Sequence, residues 1–278
     1  MRLIRKEKND SKYYTAGGHT QTWEYAYSNE GNDWFVGTKP NDKNEIASKW
    51  TKQIARVHIP QSQKIKSNTD LRRISYLNQA GSKFGIGYSG ALMFRAEAAV
   101  SLDHKYFMII TGGNSENSYF SIYRLKDIND ALDNNGTNAV DIREQTCIDA
   151  FKITNLSGAN GLVGSLQGFD FSFNEQNKTG YIYISSQYSP DKGTIAGSRK
   201  IVKIPWKSTD PSEWEEVNLD NNTSFDYKNY KTEFEGIQLI GDDELYLTVA
   251  YHDYKPNEKV KWPTVVNMIY KISWTSNI

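Results

Sequence analysis

Four polar residues recur at regular intervals along the chain, and their types suggest two kinds of chemistry. They are Gln21, Glu97, Gln167 and Glu235. Glu97 and Glu235 are candidate catalytic residues, because a pair of carboxyl groups can cleave a glycosidic bond. All four could instead form a binding site, since carboxylates and amides hold cations and hydrogen-bond to sugar hydroxyls. The alternative is that each side chain bonds to the backbone of a neighbouring sheet and only fixes its register.

The segments around these residues alternate apolar and polar positions, as short antiparallel strands do. Leu166 to Phe171 and Tyr181 to Ser186 show the pattern most clearly, with a polar turn between them and two further strand-like stretches after them. The pattern recurs about every seventy residues, which indicates a repeat architecture. We therefore predict an all-β fold, a β-propeller of four-stranded antiparallel blades, because this closed form leaves only short sheet edges exposed.

We expect residues 1–278 to form one β-propeller domain. Its predicted repeats cover residues 15–90, 91–160, 161–229 and 230–278. Residues 1–14 are expected to be loosely held unless Leu3-Ile4 or Tyr13-Tyr14 adds a strand to the last repeat. Because that repeat has three recognisable strands, the ring could close through such a pairing. The four recurring polar residues would then meet at one mouth of a central channel. A cation could bind there, and no other cofactor is predicted.

The segment from Ala16 to Glu24 has an unusual composition. Two glycines precede His19, and Gln21 and Glu24 place further polar groups around Trp23. The segment is either a strand entrance whose side chains satisfy nearby backbone groups, or one wall of a binding site. In the second interpretation His19, Gln21, Trp23 and Glu24 are binding residues.

Composition excludes several classes of protein. The 33 basic and 33 acidic residues balance, so the net charge gives no reason to expect nucleic acid as a partner. One cysteine, Cys147, cannot form an intrachain disulfide, and an inert buried thiol is the expected state. We predict no membrane-spanning segment, because no apolar run reaches about 18 residues. The basic N-terminus lacks the apolar region of a classical signal peptide.

The connections between repeats contain few motifs. The long stretch from Pro60 to Phe94 is predicted to be a loop, in which Arg72 and Arg73 either are solvated or bind an anionic envelope polymer. Leu125, Ile128 and Leu132 have helical spacing, and a short amphipathic helix should end near Gly136. No nucleophile elbow, phosphate loop or zinc-protease motif is present. The other histidines, His58, His104 and His252, are expected to be structural.

Several longer strings resemble one known family, that of helveticin J, the large heat-labile bacteriocins of lactobacilli. They occur in family order along nearly the whole chain: Ala16–Glu24, Lys52–Val57, Ser67–Asp70, Ser75–Asn78, Ala96–Ser101, Tyr183–Gln187, Ile201–Pro205 and Tyr246–His252. The resemblance implies a secreted protein that kills related Gram-positive bacteria. It supplies no catalytic residues. The family is expected to have one more repeat before the Gly-Gly-His string. Five blades in the family would then leave four here, as expected of a truncated relative or of a gene product with a shortened start.

Three functions remain open at this point. The first is a bacteriocin that binds a cell-envelope glycopolymer through aromatic and amide side chains such as those of Trp23, Tyr25, Gln21 and Gln167. The second is a cell-wall-cleaving glycoside hydrolase that uses Glu97 and Glu235. The third is a non-enzymatic carbohydrate-binding or scaffold propeller. The expected partner in the first is a bacterial envelope carbohydrate, and the sequence does not determine the oligomeric state.

Overall fold

The computed structural model shows two compact units, Met1–Thr154 and Asn155–Ile278. The residues it describes are 2–3, 19–40, 50–59, 64–65, 68–86, 93–113, 117–158, 161–187, 198–253 and 263–278. The boundary between the units falls close to the predicted boundary between the second and third repeats. The prediction of a single domain stays a prediction.

The first unit contains two large antiparallel sheets, each built from one predicted repeat. The strands of the first repeat are β2 (Trp23–Tyr25), β3 (Asp33–Pro40), β4 (Thr51–His58) and β6 (Arg72–Ser75). Those of the second are β7 (Met93–Val100), β8 (Tyr106–Gly113), β9 (Ser118–Arg124) and β11 (Cys147–Ile153). Each set pairs as an antiparallel meander.

The first sheet gains a fifth strand from a segment much later in the chain. Strand β10 (Ala139–Asp141) follows helix α1 (Leu125–Asn135) and pairs in parallel with the outer strand β6. The sheet order is therefore β10-β6-β4-β3-β2. Helix α1 buries Leu125, Ile128 and Leu132, and it ends at Gly136, whose φ is 55°, as the spacing predicted.

A buried arginine connects the helix to the first sheet. The side chain of Arg56, on β4, is 1% exposed, and its Nε lies 3.2 Å from Oδ2 of Asp33. Its Nη1 donates to Oδ1 of Asn129 on α1 at 2.7 Å, and its Nη2 pairs with Asp133. Asn129 in turn donates to the carbonyl of Ala26 at 2.7 Å. Asp33 and Asp133 therefore neutralise this buried cation, although its Nε contacts Asp33 as an ion pair without a hydrogen bond.

The second unit also contains two antiparallel sheets. The third repeat forms β12 (Gly168–Asn174), β13 (Thr179–Ser186), β14 (Lys200–Pro205) and β15 (Glu215–Asn218), paired in sequence order. The fourth forms β16 (Lys231–Gly241), β17 (Glu244–His252) and β18 (Thr264–Ser273). In the first half of β17 alternate residues such as Leu245 and Leu247 are fully buried, which is period-two burial, whereas Ile182 and Ile184 of β13 are buried together with the residues between and after them.

The fold class is the predicted one: an all-β chain whose four antiparallel sheets are β-propeller blades. The blades have five, four, four and three strands among the described residues. Leu3 does not add a strand to the last repeat among the described residues, because β1 (Arg2–Leu3) pairs in parallel with β5 (Lys64–Ile65). The alternative strand at Tyr13-Tyr14 lies outside the described residues.

The described residues of the connection from Pro60 to Phe94 contain more regular structure than the predicted loop. It contains β5, β6 and three short 3₁₀ helices, at Asn68–Asp70, Leu77–Gln79 and Ser82–Phe84. Its two arginines are paired rather than simply solvated. Arg72 contacts Glu30 and Asp133 at 2.9 and 2.7 Å, and Arg73 donates to backbone carbonyls beside it.

Candidate functional site

Glu97 lies at the centre of a buried hydrogen-bond network in the first unit. Glu97 is 1% exposed. Oε2 accepts from the hydroxyls of Thr20 and Thr22 at 2.9 and 2.6 Å and from the backbone N–H groups of Gln21 and Thr22 at 3.0 and 2.9 Å. Oε1 accepts from Nε of Arg95 at 2.9 Å. This carboxylate therefore fastens the segment before β2 to strand β7, as the register alternative predicted for it.

A stack of side chains extends from this network to the surface. The Arg95 guanidinium lies over the ring of Trp50, with its Cζ 3.7 Å from the ring centroid. The Trp50 ring meets the His19 ring edge-on at 4.1 Å. The backbone fixes the same pair, because the N–H of Thr51 donates to the carbonyl of His19 at 3.0 Å. His19 is exposed, so it forms the outer end of the stack.

Five aromatic side chains form a continuous row in the first unit, which we call the aromatic ridge: Trp23, Tyr25, Tyr27, Trp34 and His104. The Trp23 and Trp34 rings are stacked at 5.6 Å, and Tyr25 meets Trp34 edge-on at 5.3 Å. Tyr25 also contacts Tyr27 at 4.7 Å, and Tyr27 stacks on His104 at 3.9 Å. Trp23 is 52% exposed and Tyr27 is 44% exposed. The ridge thus presents aromatic surface to solvent.

Strand pairing produces the ridge. Tyr25 on β2 lies opposite Trp34 on β3, and Trp23 is the diagonal neighbour of Trp34 on the same face. The intervening Glu24 points the other way and is 6% exposed. Gln21 is half-buried just before the strand. Of the residues predicted for a binding wall, His19 and Trp23 are therefore the most accessible.

The two predicted site residues of the second unit are placed differently. Gln167 is buried, and its Nε2 donates to the carbonyl of Gln187 and to Oε1 of Glu233, both at 2.9 Å. Oε2 of Glu233 lies 3.0 Å from Nε2 of His252. Glu235 is half-buried, and its backbone carbonyl accepts from the Ser185 hydroxyl at 2.6 Å. The convergence of all four recurring residues stays a prediction.

Asp170 joins the two sheets of the second unit in the way that Glu97 joins those of the first. Its Oδ2 accepts from the N–H of Leu239 at 2.7 Å and from Nε2 of Gln238 at 3.0 Å, and its Oδ1 accepts from the N–H of Phe171 at 2.7 Å. Complete burial raises the pKa of this carboxyl to about 7, although the two N–H donors oppose the shift. Asp170 was not identified as important from the sequence.

One group among the described residues has the spacing of a metal site. A ligand atom from each of Glu30, Asp33 and His58 lies within 4.8 Å of the others. However, the Arg56 guanidinium already contacts Asp33, and Nδ1 of His58 lies 2.7 Å from the same carboxylate. The positive charge of Arg56 makes this group an ion-pair network rather than a cation site.

The remaining candidates have structural contacts. The Cys147 thiol is partly buried, and burial raises its pKa to about 11, which fits the expected inert thiol. His58, His104 and His252 contact Asp33, Tyr27 and Glu233 respectively. In the part of the chain that the structure describes, no helix has the length and apolar character needed to cross a membrane.

Sequence reasoning identified Trp23 and Tyr25 but missed the other ridge residues. Trp23, Tyr25 and Tyr27 alternate along five residues of sequence, and this signal could have extended the prediction to Tyr27. Trp34 and His104 join through strand pairing and a turn of the next repeat. No local pattern predicts either contact.

Comparison with known proteins gives a consistent result. The family model for bacteriocin helveticin-J matches residues 2–275. Bacteriocin helveticin-J of Lactobacillus helveticus is 41% identical over 276 residues, a match that covers 93% of this chain and 80% of that protein. No solved structure matches. The sequence strings, the blade pattern and the match over nearly the whole chain all indicate the same family. The chain belongs to the helveticin-J bacteriocin family.

Proposed function

We propose that this chain is a secreted bacteriocin that acts on related Gram-positive bacteria by binding a glycopolymer of the cell envelope through the aromatic ridge. The observation that carries the proposal is the half-exposed Trp23 ring, which is stacked on Trp34. Because Trp23 belongs to a continuous aromatic row rather than standing alone, its exposure marks a surface that can bind a partner. Membership of a bacteriocin family gives that surface a bacterial partner.

The ridge has the physical properties of a sugar-binding surface. Aromatic faces pack against the C–H faces of pyranose rings, while neighbouring polar groups bond to hydroxyls. Here Trp23 supplies the face, the exposed His104 at the other end of the ridge supplies an imidazole, and Gln21 lies two residues before Trp23 in the sequence. Because Trp34 supports the Trp23 ring from behind, less side-chain entropy is lost when a ligand binds.

The same structure gives less support to a wall-cleaving hydrolase. A general acid must reach the glycosidic oxygen. Glu97 is 1% exposed, and its two oxygens accept five hydrogen bonds from protein groups. A carboxylate in this environment positions strands, so we do not assign it a catalytic role.

Binding to purified cell walls tests the proposal directly. Wall material from sensitive lactobacilli should retain the protein, and Trp23→Ala should weaken retention by about tenfold, which equals about 1.4 kcal/mol. The matched control is Tyr246→Ala, since Tyr246 is 43% exposed on a strand of the second unit. This control should bind as the unchanged protein does. Equal retention of both variants and the unchanged protein would remove the ridge from the binding site.

Two further measurements separate the alternatives. Growth inhibition of indicator strains should fall in Trp23→Ala in parallel with wall binding. Analysis of the wall supernatant should detect no soluble glycan fragments. Release of fragments by the unchanged protein would favour the hydrolase instead, and retention on walls without growth inhibition would favour a carbohydrate-binding scaffold.

A further inference from the structure

The second unit contains a cleft of its own that the sequence did not reveal. Its volume is about 660 Å³, which lies within the roughly 300–1,000 Å³ typical of small-molecule sites. All of its lining residues belong to the second unit, namely to β12, β13, β14, the residues just after β14, the turn between β16 and β17, and Ile278. The residues with the most distinctive chemistry are Tyr181, Tyr183, Lys203, Trp206, Asp242 and Asp243.

Gly180, on β13, lets two backbone segments in the wall of the cleft approach each other closely. Gly180 has a φ of 153°, and a Cβ there would lie 2.1 Å from the carbonyl oxygen of Ser172. Only glycine fits so close to another backbone. The Gly180 carbonyl accepts from the N–H of Trp206 at 2.8 Å, so the same position fixes where the Trp206 backbone lies beside the cleft.

Lys203 is a buried cation in the wall of the cleft. Its side chain is 3% exposed, and its Nζ lies 2.7 Å from Oδ1 of Asp243 and 2.7 Å from the Ser276 hydroxyl. The ammonium also lies 4.2 Å from the centroid of the Tyr181 ring. These contacts neutralise Lys203 and hold Tyr181 against it.

The charge of the cleft is then set by its second carboxylate. Asp242 is exposed, and its charge is not matched by a second cation among the lining residues. Two carboxylates against one ammonium leave the lining side chains with a net negative charge. Both carboxylates also help to raise the pKa of Tyr183, after the larger effect of burial. Such a cleft repels phosphate-bearing polymers and accepts hydrogen bonds from hydroxyl groups.

We propose that this cleft binds a neutral hexopyranoside, with Tyr181 as the stacking surface and Asp242 as the acceptor for sugar hydroxyls. Aromatic residues, a carboxylate acceptor and the Asn174 amide line one concave surface, which is the combination that a polyhydroxylated ring requires. This inference goes beyond the function proposed above. It would stand even if the aromatic ridge bound nothing.

Calorimetric titration with free oligosaccharides tests it. Cellotetraose and a β-1,4-linked tetramer of N-acetylglucosamine are neutral probes, and a glycerol phosphate oligomer is the anionic one. At least one neutral probe should bind the full chain, and the anionic probe should not. Asp242→Asn should weaken binding by at least about fivefold and Tyr181→Ala by at least about tenfold.

Two controls make the result specific. Asp226→Asn removes another exposed carboxylate of the second unit, which does not line the cleft, and it should change the affinity by less than about twofold. Trp23→Ala should also leave oligosaccharide affinity unchanged, which separates this site from the ridge. The proposal is overturned if neither neutral probe binds at about 10 mM, if the anionic probe binds more tightly, or if Asp242→Asn and Asp226→Asn behave alike.

Discussion

Replacement of Glu97 by Gln should strongly destabilise the first unit, although the two side chains have nearly the same shape. Four donors converge on Oε2 and one on Oε1. A hydrogen bond to a charged group contributes about 1.5–3 kcal/mol and one to a neutral group about 0.5–1.5 kcal/mol, so each bond loses about 1 kcal/mol. The new amide N–H group would also face the Arg95 guanidinium. Since these effects are not additive, we expect a total loss of about 3–5 kcal/mol, as for other broken buried ion pairs.

Urea unfolding followed by tryptophan fluorescence measures this loss, because Trp50 packs on Arg95 within the same network. The control is Glu216→Gln, which removes an exposed carboxylate paired with Lys200 and should cost less than about 0.5 kcal/mol. If Glu97→Gln were as stable as the unchanged protein, the carboxylate would not be what holds the segment before β2 against strand β7. A catalytic role would then need to be considered again.

Three other predictions concern single buried or strained positions. The pKa of Asp170 is about 7 in the folded protein and 3.8 ordinarily, so the folded state binds one more proton between these values. The free energy of unfolding should therefore fall as the pH rises from about 4 to 7, by up to about 1.4 kcal/mol per pH unit. Urea titrations should find this slope absent in Asp170→Asn. Gly180→Ala should cost about 2–3 kcal/mol by thermal unfolding, whereas Gly85→Ala, with a φ of 71° but open space around its Cβ, should cost about 1 kcal/mol; equal costs would contradict the clash. With a pKa of about 11, the Cys147 thiol should react slowly with a disulfide reagent at pH 8 and quickly once urea is added, and fast reaction of the native protein would show it to be accessible.

Stretches in which apolar and polar residues alternate clearly along the sequence form strands in the structure. The prediction succeeded for β12 and β13 because apolar side chains such as Phe169, Phe171 and Ile184 occupy every second position, although residues between them, such as Asp170 and Ser185, are buried as well. Helix α1 was predictable for the same reason at helical spacing. Strand β6 was missed because Ile74 is its one buried residue, and β10 because three residues are too short to show a period.

The candidate sites were less predictable, because they depend on distance between strands rather than on order along the chain. Glu97 was identified from its recurrence, but its full burial follows from the contacts of Thr20 and Thr22, which lie about 75 residues away. For the cleft, one signal was available. Lys203 interrupts the apolar run Ile201-Val202-Lys203-Ile204, and a lysine inside such a run marks a buried cation with partners elsewhere.

The pairing of β10 with β6 has a consequence for biosynthesis. A nascent chain that has left the ribosome only through its first repeat still exposes the outer edge of β6, since the strand that covers it lies at Ala139–Asp141. That edge stays open to wrong partners until most of the second repeat has been translated. Deletion of the second repeat alone would remove β10 and leave this edge uncovered, so the first repeat is expected to complete its folding only together with the second.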